Sequence, residues 1–101
     1  MKNATIRLDG YVLDTLMVDL VGHDRSPSSF LVYLALWKAT GGRAKPRVER
    51  SHRQLAEETG LSKSAVQGAV RRLIKRRLVS ASRAHSTATP EYSILKPWER
   101  G

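Results

Sequence analysis

The side chains in this sequence that are equipped for chemistry are hydrogen-bond donors placed at helical spacing. At roughly 100° per residue, Ser64, Gln67, Gly68, Arg71 and Lys75 cluster on one side of a predicted helix. That side is polar and basic, and it is small at Gly68. A mid-helix glycine costs about 1 kcal/mol of helix propensity, which indicates that another surface comes close there. The pattern predicts recognition of an anionic partner by hydrogen bonding.

Catalytic and metal chemistry are not predicted. His23, His52 and His85 are 29 and 33 residues apart, so they share no metal-ligand spacing. Glu57 and Glu58 are neighbours on a predicted helix and point in different directions. The absence of cysteine excludes disulfides, thiolate metal sites and thiol catalysis. We therefore expect no enzyme activity, no metal and no cofactor.

The opposite side of the same helix is apolar. Val66, Ala69, Val70 and Leu73 recur at helical spacing from about residue 63, and Arg77 stands at the end of this stripe. The stripe predicts a helix over residues 63–77 that is buried on its back and basic on its front. The alternative is a basic face that is only solvated and binds no partner, on an ordinary helical hairpin.

A second, shorter helix precedes it. Ser51 is a good N-cap, and Gln54 three residues later completes a candidate capping box. Gly60 stops this helix because glycine adopts the left-handed backbone conformation at little cost. Leu61 follows in the turn, and Ser62 caps the next helix. The segment therefore predicts two helices joined by a tight turn.

Composition indicates one domain, residues 1–101, with 41% hydrophobic residues for a single core. The net charge is +9, which favours a polyanion such as nucleic acid. Residues 1–24 carry two basic and four acidic side chains, whereas residues 25–101 carry 16 basic and 5 acidic ones. The acidic part is expected to face away from a polyanion, or to face another protein.

No membrane or secretory segment is expected. The longest apolar run, Phe30 to Trp37, is too short to span a bilayer. The N-terminus lacks a charged region followed by an apolar core. The expected location is the bacterial cytoplasm, in association with the nucleoid.

Residues 1–25 are predicted to be an N-terminal extension. A weak strand pattern covers residues 3–8, and an apolar helix is predicted from Tyr11 to Val21, with Asp9 as its cap and Gly22 at its end. This helix either packs on the core or forms a homodimer interface. The dimer alternative uses Tyr11, Leu13, Leu16, Met17 and Leu20.

The core is predicted to span residues 26–98. Ser26-Pro27 begins a helix that is apolar on nearly all sides and ends at Gly41-Gly42, so it is expected to be central, flanked by the N-terminal helix and the two-helix segment. Val48 fits a short strand. After Leu78, VSASR and EYSIL alternate as two strands joined by the turn AHSTATP, and Trp98 is expected to pack back on the core.

The segment from Val48 to Leu95 resembles the winged helix-turn-helix of bacterial transcription regulators of the GntR and MarR kinds. The matching residues are Leu55-Ala56, Gly60-Leu61-Ser62, Ser64, Val66 and Ala69-Val70-Arg71-Arg72-Leu73. The resemblance implies a mainly α fold with a small β-hairpin (α+β), here with an extra N-terminal helix. It also implies a recognition helix over 63–77 and a wing over 79–95.

Sequence-specific binding to double-stranded DNA is the favoured hypothesis, with the basic helix in the major groove. The candidates for reading bases are Lys63, Ser64, Gln67, Gly68 and Arg71. The candidates for phosphate or wing contacts are Arg43, Lys45, Arg47, Arg50, Ser51, Arg53, Ser62, Arg72, Lys75, Arg83 and His85. No small-molecule ligand is indicated. Alternatives are a protein-interaction module of a replication or partition complex, and an RNA or single-strand binder, for which exposed aromatic residues are few.

Overall fold

The computed structural model describes residues 5–43 and 47–99, and it is mainly helical with a small antiparallel sheet. The N-terminal helix consists of two segments, Val12–Leu16 and Val18–His23. The remaining elements are α1 (Pro27–Thr40), β1 (Val48–Glu49), α2 (His52–Thr59), α3 (Lys63–Lys75), β2 (Val79–Ser82) and β3 (Glu91–Ile94). The predicted fold class is confirmed.

Helix α1 is the centre of the core. It contacts the N-terminal helix, α2, α3 and β3. The side chains of Val32, Tyr33, Leu36 and Trp37 are almost completely buried, as expected for a helix that is apolar on most sides. Gly41 and Gly42 end it, as predicted, and both have positive φ angles. The predicted central position of this helix between the N-terminal helix and the two-helix segment is confirmed.

The predicted hairpin is present, and the short strand before α2 joins it. The strand order is β1-β3-β2, with antiparallel pairing throughout. Tyr92 on the central strand lies opposite Val48 on one side and Ala81 on the other. Because Tyr92 and Ile94 are buried against the helices, the hairpin is fixed relative to α3.

The turn between α2 and α3 is built by the predicted caps. The Gln54 backbone N–H donates to the Ser51 hydroxyl (3.0 Å), and the Ser51 N–H donates to the Gln54 side chain (2.8 Å). Gly60 has a φ of 79°, and the Ser62 hydroxyl accepts from the Ala65 N–H at 3.1 Å. These local bonds set the angle at which α3 leaves α2.

Helix α3 ends at Lys75, two residues earlier than predicted. Arg77 adopts a left-handed conformation with a φ of 58°. The Leu78 N–H donates to the Leu73 carbonyl (2.9 Å) and the Arg77 N–H to the Ile74 carbonyl (3.0 Å), a Schellman arrangement. Arg77 therefore reverses the chain at the end of the helix instead of extending its apolar stripe, and it lets the buried Leu78 lead into β2.

The N-terminal helix is wound more widely than an α-helix. The Met17 N–H bonds to the Val12 carbonyl and the Asp24 N–H to the Asp19 carbonyl, both five residues back. The helix continues through Gly22, so its predicted end was wrong. Residues 5–9 form no strand, and residues 3–4 of that prediction lie outside the described part of the chain.

The two ends of the chain are held together. Asp9 does not cap the N-terminal helix with its side chain, contrary to prediction. Its carboxylate instead accepts from the Trp98 indole (3.2 Å) and pairs with Lys96 (3.4 Å). Trp98 stacks on Tyr11 with ring centroids 4.6 Å apart, and the Lys96 ammonium lies 4.7 Å from the Trp37 ring centroid. Trp98 thus packs back on the core, as predicted.

The left-handed residue at the end of α3 yields a stability prediction. Arg77→Gly should raise the free energy of unfolding by about 1 kcal/mol, because an L-residue in this conformation is strained and glycine is not. Chemical denaturation followed by circular dichroism measures the change. Lys75→Gly is the matched control, because Lys75 lies within α3, is exposed and forms no ion pair among the described residues. This variant should lower the free energy of unfolding by about 1 kcal/mol. Equal destabilisation by both variants would contradict the left-handed geometry.

Candidate nucleic-acid interface

The outward face of α3 carries the five predicted base-reading residues together. Lys63, Ser64, Gln67, Gly68 and Arg71 are all exposed. The opposite face is buried in the core through Val66, Ala69, Val70 and Leu73. The helix therefore presents one continuous polar, cationic surface to solvent. Amide and guanidinium donors on such a surface match the acceptors that base pairs expose in the major groove.

Among residues 5–43 and 47–99, no neighbour packs closely against Gly68. A Cβ atom built at this position meets nothing within 4 Å, and its φ is not among the positive ones. Neither steric crowding nor backbone conformation therefore requires glycine here. Its small size leaves the middle of the α3 face open to close approach from outside.

A cleft of ≈ 480 Å³ separates α3 from the hairpin. Arg71 and Gln67 line it from the helix, and Arg83 lines it from the end of β2. Its wall is partly apolar through Ile74 and Tyr92. A smaller cleft of ≈ 260 Å³ lies beside the turn of the hairpin, where Lys63, Arg53 and again Arg83 line it. The hairpin and α3 thus share one cationic surface.

The cationic side chains that line these clefts differ in whether they form ion pairs. Within residues 5–43 and 47–99, Lys63, Arg71 and Arg83 form no ion pair. The Arg83 guanidinium donates to the carbonyls of Ser86 and Ala88, each at 3.3 Å, which braces the turn of the wing. Positive charge is therefore available without breaking a salt bridge at these three positions.

Arginines near the C-terminal end of α3 are held by the N-terminal region. Arg72 lies 3.7 Å from the Asp24 carboxylate, and Arg76 lies 3.5 Å from Asp24 and 3.8 Å from Asp19. Part of the acidic N-terminal region thus lies beside the candidate interface instead of facing away from it. Arg72, a predicted phosphate contact, already has a carboxylate partner.

Two other predicted phosphate contacts also have acidic partners. Arg50 bonds to Glu58 at 3.0 Å, and together they line a cleft beside α1, apart from the two clefts described above. Arg53 pairs with Glu57 at 3.5 Å, but both side chains are highly exposed, so the pair contributes little stability.

The other phosphate candidates are dispersed. Arg47 donates to the Ser82 hydroxyl across the sheet, and Lys75 lies beside Gly68 and Arg71 on the outer face of α3. Arg43 is exposed after the end of α1 and does not line either cleft. Lys45 lies outside the described residues.

The serines and His85 have local partners. The hydroxyls of Ser51 and Ser62 accept backbone N–H bonds as helix caps. A hydroxyl that accepts one bond still has a proton to donate, so a phosphate contact is compatible with capping. His85 is exposed at the turn of the wing, with its Nδ1 3.0 Å from the Thr87 hydroxyl.

His52 lies within the candidate interface, although the sequence did not indicate it. It is the first residue of α2, and it lines both clefts. Burial lowers its pKa, and the charges of Arg83, Lys63 and Arg71 lower it further. Its place after the Ser51 cap was visible in the sequence. Its proximity to the wing depends on how the hairpin folds back, which no local pattern reveals.

Two helices joined by a tight turn and followed by an antiparallel hairpin define a winged helix-turn-helix domain. Residues 42–86 match the MarR family, and the match covers β1, α2, α3 and β2. This supports a winged helix DNA-binding domain of the MarR kind. No curated protein and no solved structure matches the chain. Within the ranges described, no helix has the length and apolar character needed to cross a membrane.

A substitution at Gly68 should affect stability and DNA binding in opposite directions. Gly68→Ala should raise the free energy of unfolding by about 1 kcal/mol through helix propensity. The same variant should weaken binding to a DNA duplex, because the added methyl group projects into the face that the duplex approaches. Thermal unfolding and fluorescence anisotropy with a labelled duplex measure the two effects.

Gly22→Ala is the control for this pair of measurements. Gly22 also has nothing within 4 Å of a Cβ position, but it lies in the N-terminal helix. We expect this variant to leave DNA affinity unchanged. If Gly68→Ala also leaves DNA affinity unchanged, Gly68 does not lie in the surface that contacts DNA.

Proposed function

We propose that this protein is a transcription regulator that binds double-stranded DNA in a sequence-specific manner. The observation that carries the proposal is the orientation of α3, whose apolar stripe is buried while Lys63, Gln67 and Arg71 stand exposed. The match of residues 42–86 to the MarR family supports it, because winged-helix transcription regulators make up that family. An α-helix with this face fits the width of the major groove.

The contacts divide into two kinds. Gln67 is suited to bond adenine through its amide, and Arg71 or Lys63 to bond guanine. Lys75 and Arg83, which have no carboxylate partner among the described residues, are suited to phosphates. Arg72 can contribute to DNA binding only after it exchanges its partner Asp24 for a phosphate. The first kind selects sequence, and the second positions the duplex.

A homodimer is the proposed working form. Leu13, Met17 and Val18 on the N-terminal helix expose 45%, 40% and 52% of their surface, which is unusual for apolar side chains on one element. Leu16 and Leu20, predicted to belong to the same surface, are 3% and 0% exposed in the chain's own core, so they cannot form it. Members of the MarR family often act as dimers. Such a dimer places two recognition helices on half-sites about one helical turn apart.

The exposed apolar residues also favour a second candidate function. In a protein-interaction module, Leu13 and Met17 would dock on another protein, and the cationic face of α3 would remain solvated. A gel shift with random duplex DNA at low salt separates the two functions. Binding would favour the regulator, because nonspecific phosphate contacts suffice for binding at low salt. A lack of binding would favour the protein-interaction module.

Two arginines should respond differently to truncation. Arg71→Ala should relax base selection, at a cost of about 1–3 kcal/mol on the preferred site, because it removes a base contact. Arg83→Ala should weaken all sequences alike and reduce the log–log salt slope by about 1, because it removes a phosphate contact. Sequencing of duplexes selected from a random library measures the first effect, and salt titrations measure the second.

Lys38→Ala on α1 is the control, since it removes an exposed cation from another part of the molecule. It should change neither the selected site nor the salt slope. An unchanged selected site in Arg71→Ala would show that the wrong face of α3 has been assigned to bases.

The dimer surface has its own test. Leu13→Glu should shift the protein toward the monomer in sedimentation equilibrium, because a buried unpaired carboxylate in an apolar interface is costly. Leu31→Glu is the matched control, since Leu31 on α1 is 40% exposed and is not part of the proposed interface. A mass that is the same for wild type and Leu13→Glu would count against this interface.

A further inference from the structure

His52 stands where three structural elements meet. It begins α2, and the first cleft places it with Arg71 of α3 and Arg83 of the wing. The second cleft places it with Lys63 at the start of α3 and again with Arg83. His52 and Arg83 are thus common to both clefts, at the junction between the recognition helix and the wing.

The lining of both clefts is cationic without a carboxylate. None of the residues that line the two clefts is aspartate or glutamate. The charged groups that face His52 are Arg53 from α2, Lys63 and Arg71 from α3, and Arg83 from the wing. Of these, Arg53 has an acidic partner, Glu57, at 3.5 Å. In the described part of the chain, Lys63, Arg71 and Arg83 have no carboxylate partner, so a bound external anion would provide the missing counterion.

Tyr92 of β3 is the other titratable group in the larger cleft. Burial raises its pKa, while Arg83 opposes that rise. Its hydroxyl therefore stays neutral near neutral pH and supplies no negative charge to His52.

We propose that His52, Lys63 and Arg83 form a seat for one DNA backbone phosphate, in which the His52 imidazole becomes protonated when the phosphate binds. The proposal rests on the DNA-binding function proposed above and adds a contact to it. It assigns Lys63 to a phosphate, which leaves the guanine contact to Arg71. The seat lies between the base-reading face of α3 and the wing, so one phosphate there bridges the two parts of the interface.

Proton uptake follows from the charges. In the free protein, burial and three neighbouring cations favour neutral imidazole, so the pKa of His52 lies below its ordinary value. A bound phosphate is an opposite charge within contact distance, and it favours the imidazolium. The pKa of His52 is therefore higher in the complex than in the free protein. Affinity falls as pH rises between those two pKa values, and it is independent of pH outside them.

The test is duplex affinity against pH at constant ionic strength. The probe is a random-sequence duplex, because a phosphate contact does not depend on base sequence. For the wild type, the dissociation constant should rise several-fold from about pH 6 to about pH 8, and by no more than about tenfold per pH unit for one proton. His52→Gln keeps a neutral hydrogen-bonding side chain, and its affinity should be independent of pH.

The matched control is His23→Gln in the N-terminal helix. It should keep the pH dependence of the wild type, because His23 does not line either cleft. Retention of the pH dependence in His52→Gln would overturn the proposal. A flat wild-type profile would overturn it as well.

Imidazole titration by NMR on the unmodified protein gives a second readout that needs no variant. The pKa of His52 should rise when the duplex is added. No change at His52 contradicts the proposal even if His52→Gln fails to fold. Binding without pH dependence rejects the phosphate seat alone, whereas no binding at low salt at any pH rejects the DNA-binding function too.

Discussion

The rotation of α3 about its own axis is the constraint on which the candidate interface depends. Val66, Ala69, Val70 and Leu73 are buried in the core, and α3 packs against α1. A small rotation would expose these side chains and bury Gln67 or Arg71 in their place. At about 25 cal/mol per Å² of apolar surface, exposing even two of the larger ones costs several kcal/mol. The hydrophobic core therefore decides which side chains face solvent.

The same core fixes the wing. Tyr92 and Ile94 of β3 are buried with α1, while β2 begins immediately after the buried Leu78. The left-handed Arg77 provides the reversal between α3 and β2. The chain is buried in the core both before Arg77, in α3, and after it, in the hairpin. Arg83 is therefore held at a defined position relative to Arg71. Core packing thus sets the positions of both walls of the cleft, and no contact across the cleft is needed to form it.

Local patterns predicted most of this fold. The capping box at Ser51, the turn at Gly60 and the stripe of α3 each depend on residues within a few positions of one another, and each is confirmed. The exposed set on α3 followed from the same periodicity. Its role in DNA binding stays a prediction, since exposure alone does not identify a ligand.

Features that depend on distant residues were missed. Asp9 binds Trp98 and Lys96 from the other end of the chain, and nothing in the local sequence distinguishes that role from helix capping. The wide winding of the N-terminal helix also escaped prediction, because the apolar spacing of Val12, Leu16 and Leu20 is compatible with an ordinary α-helix. His52 was overlooked for the same reason, since its cationic neighbours come from α3 and the wing.

The carboxylates beside the end of α3 change how the charge of the molecule acts at a distance. The formal net charge of +9 already includes the opposing charges of Asp19 and Asp24, so the ion pairs change where the positive potential is concentrated and leave its total unchanged. Because Asp24 and Asp19 lie within 4 Å of their guanidinium groups, each pairing acts outward as a short dipole, whose field fades faster than that of a single ion. Arg72 and Arg76 therefore attract a distant polyanion less strongly than Lys63, Arg71 and Arg83, which have no carboxylate partner among the described residues. An approaching polyelectrolyte is oriented by that asymmetry before any hydrogen bond forms.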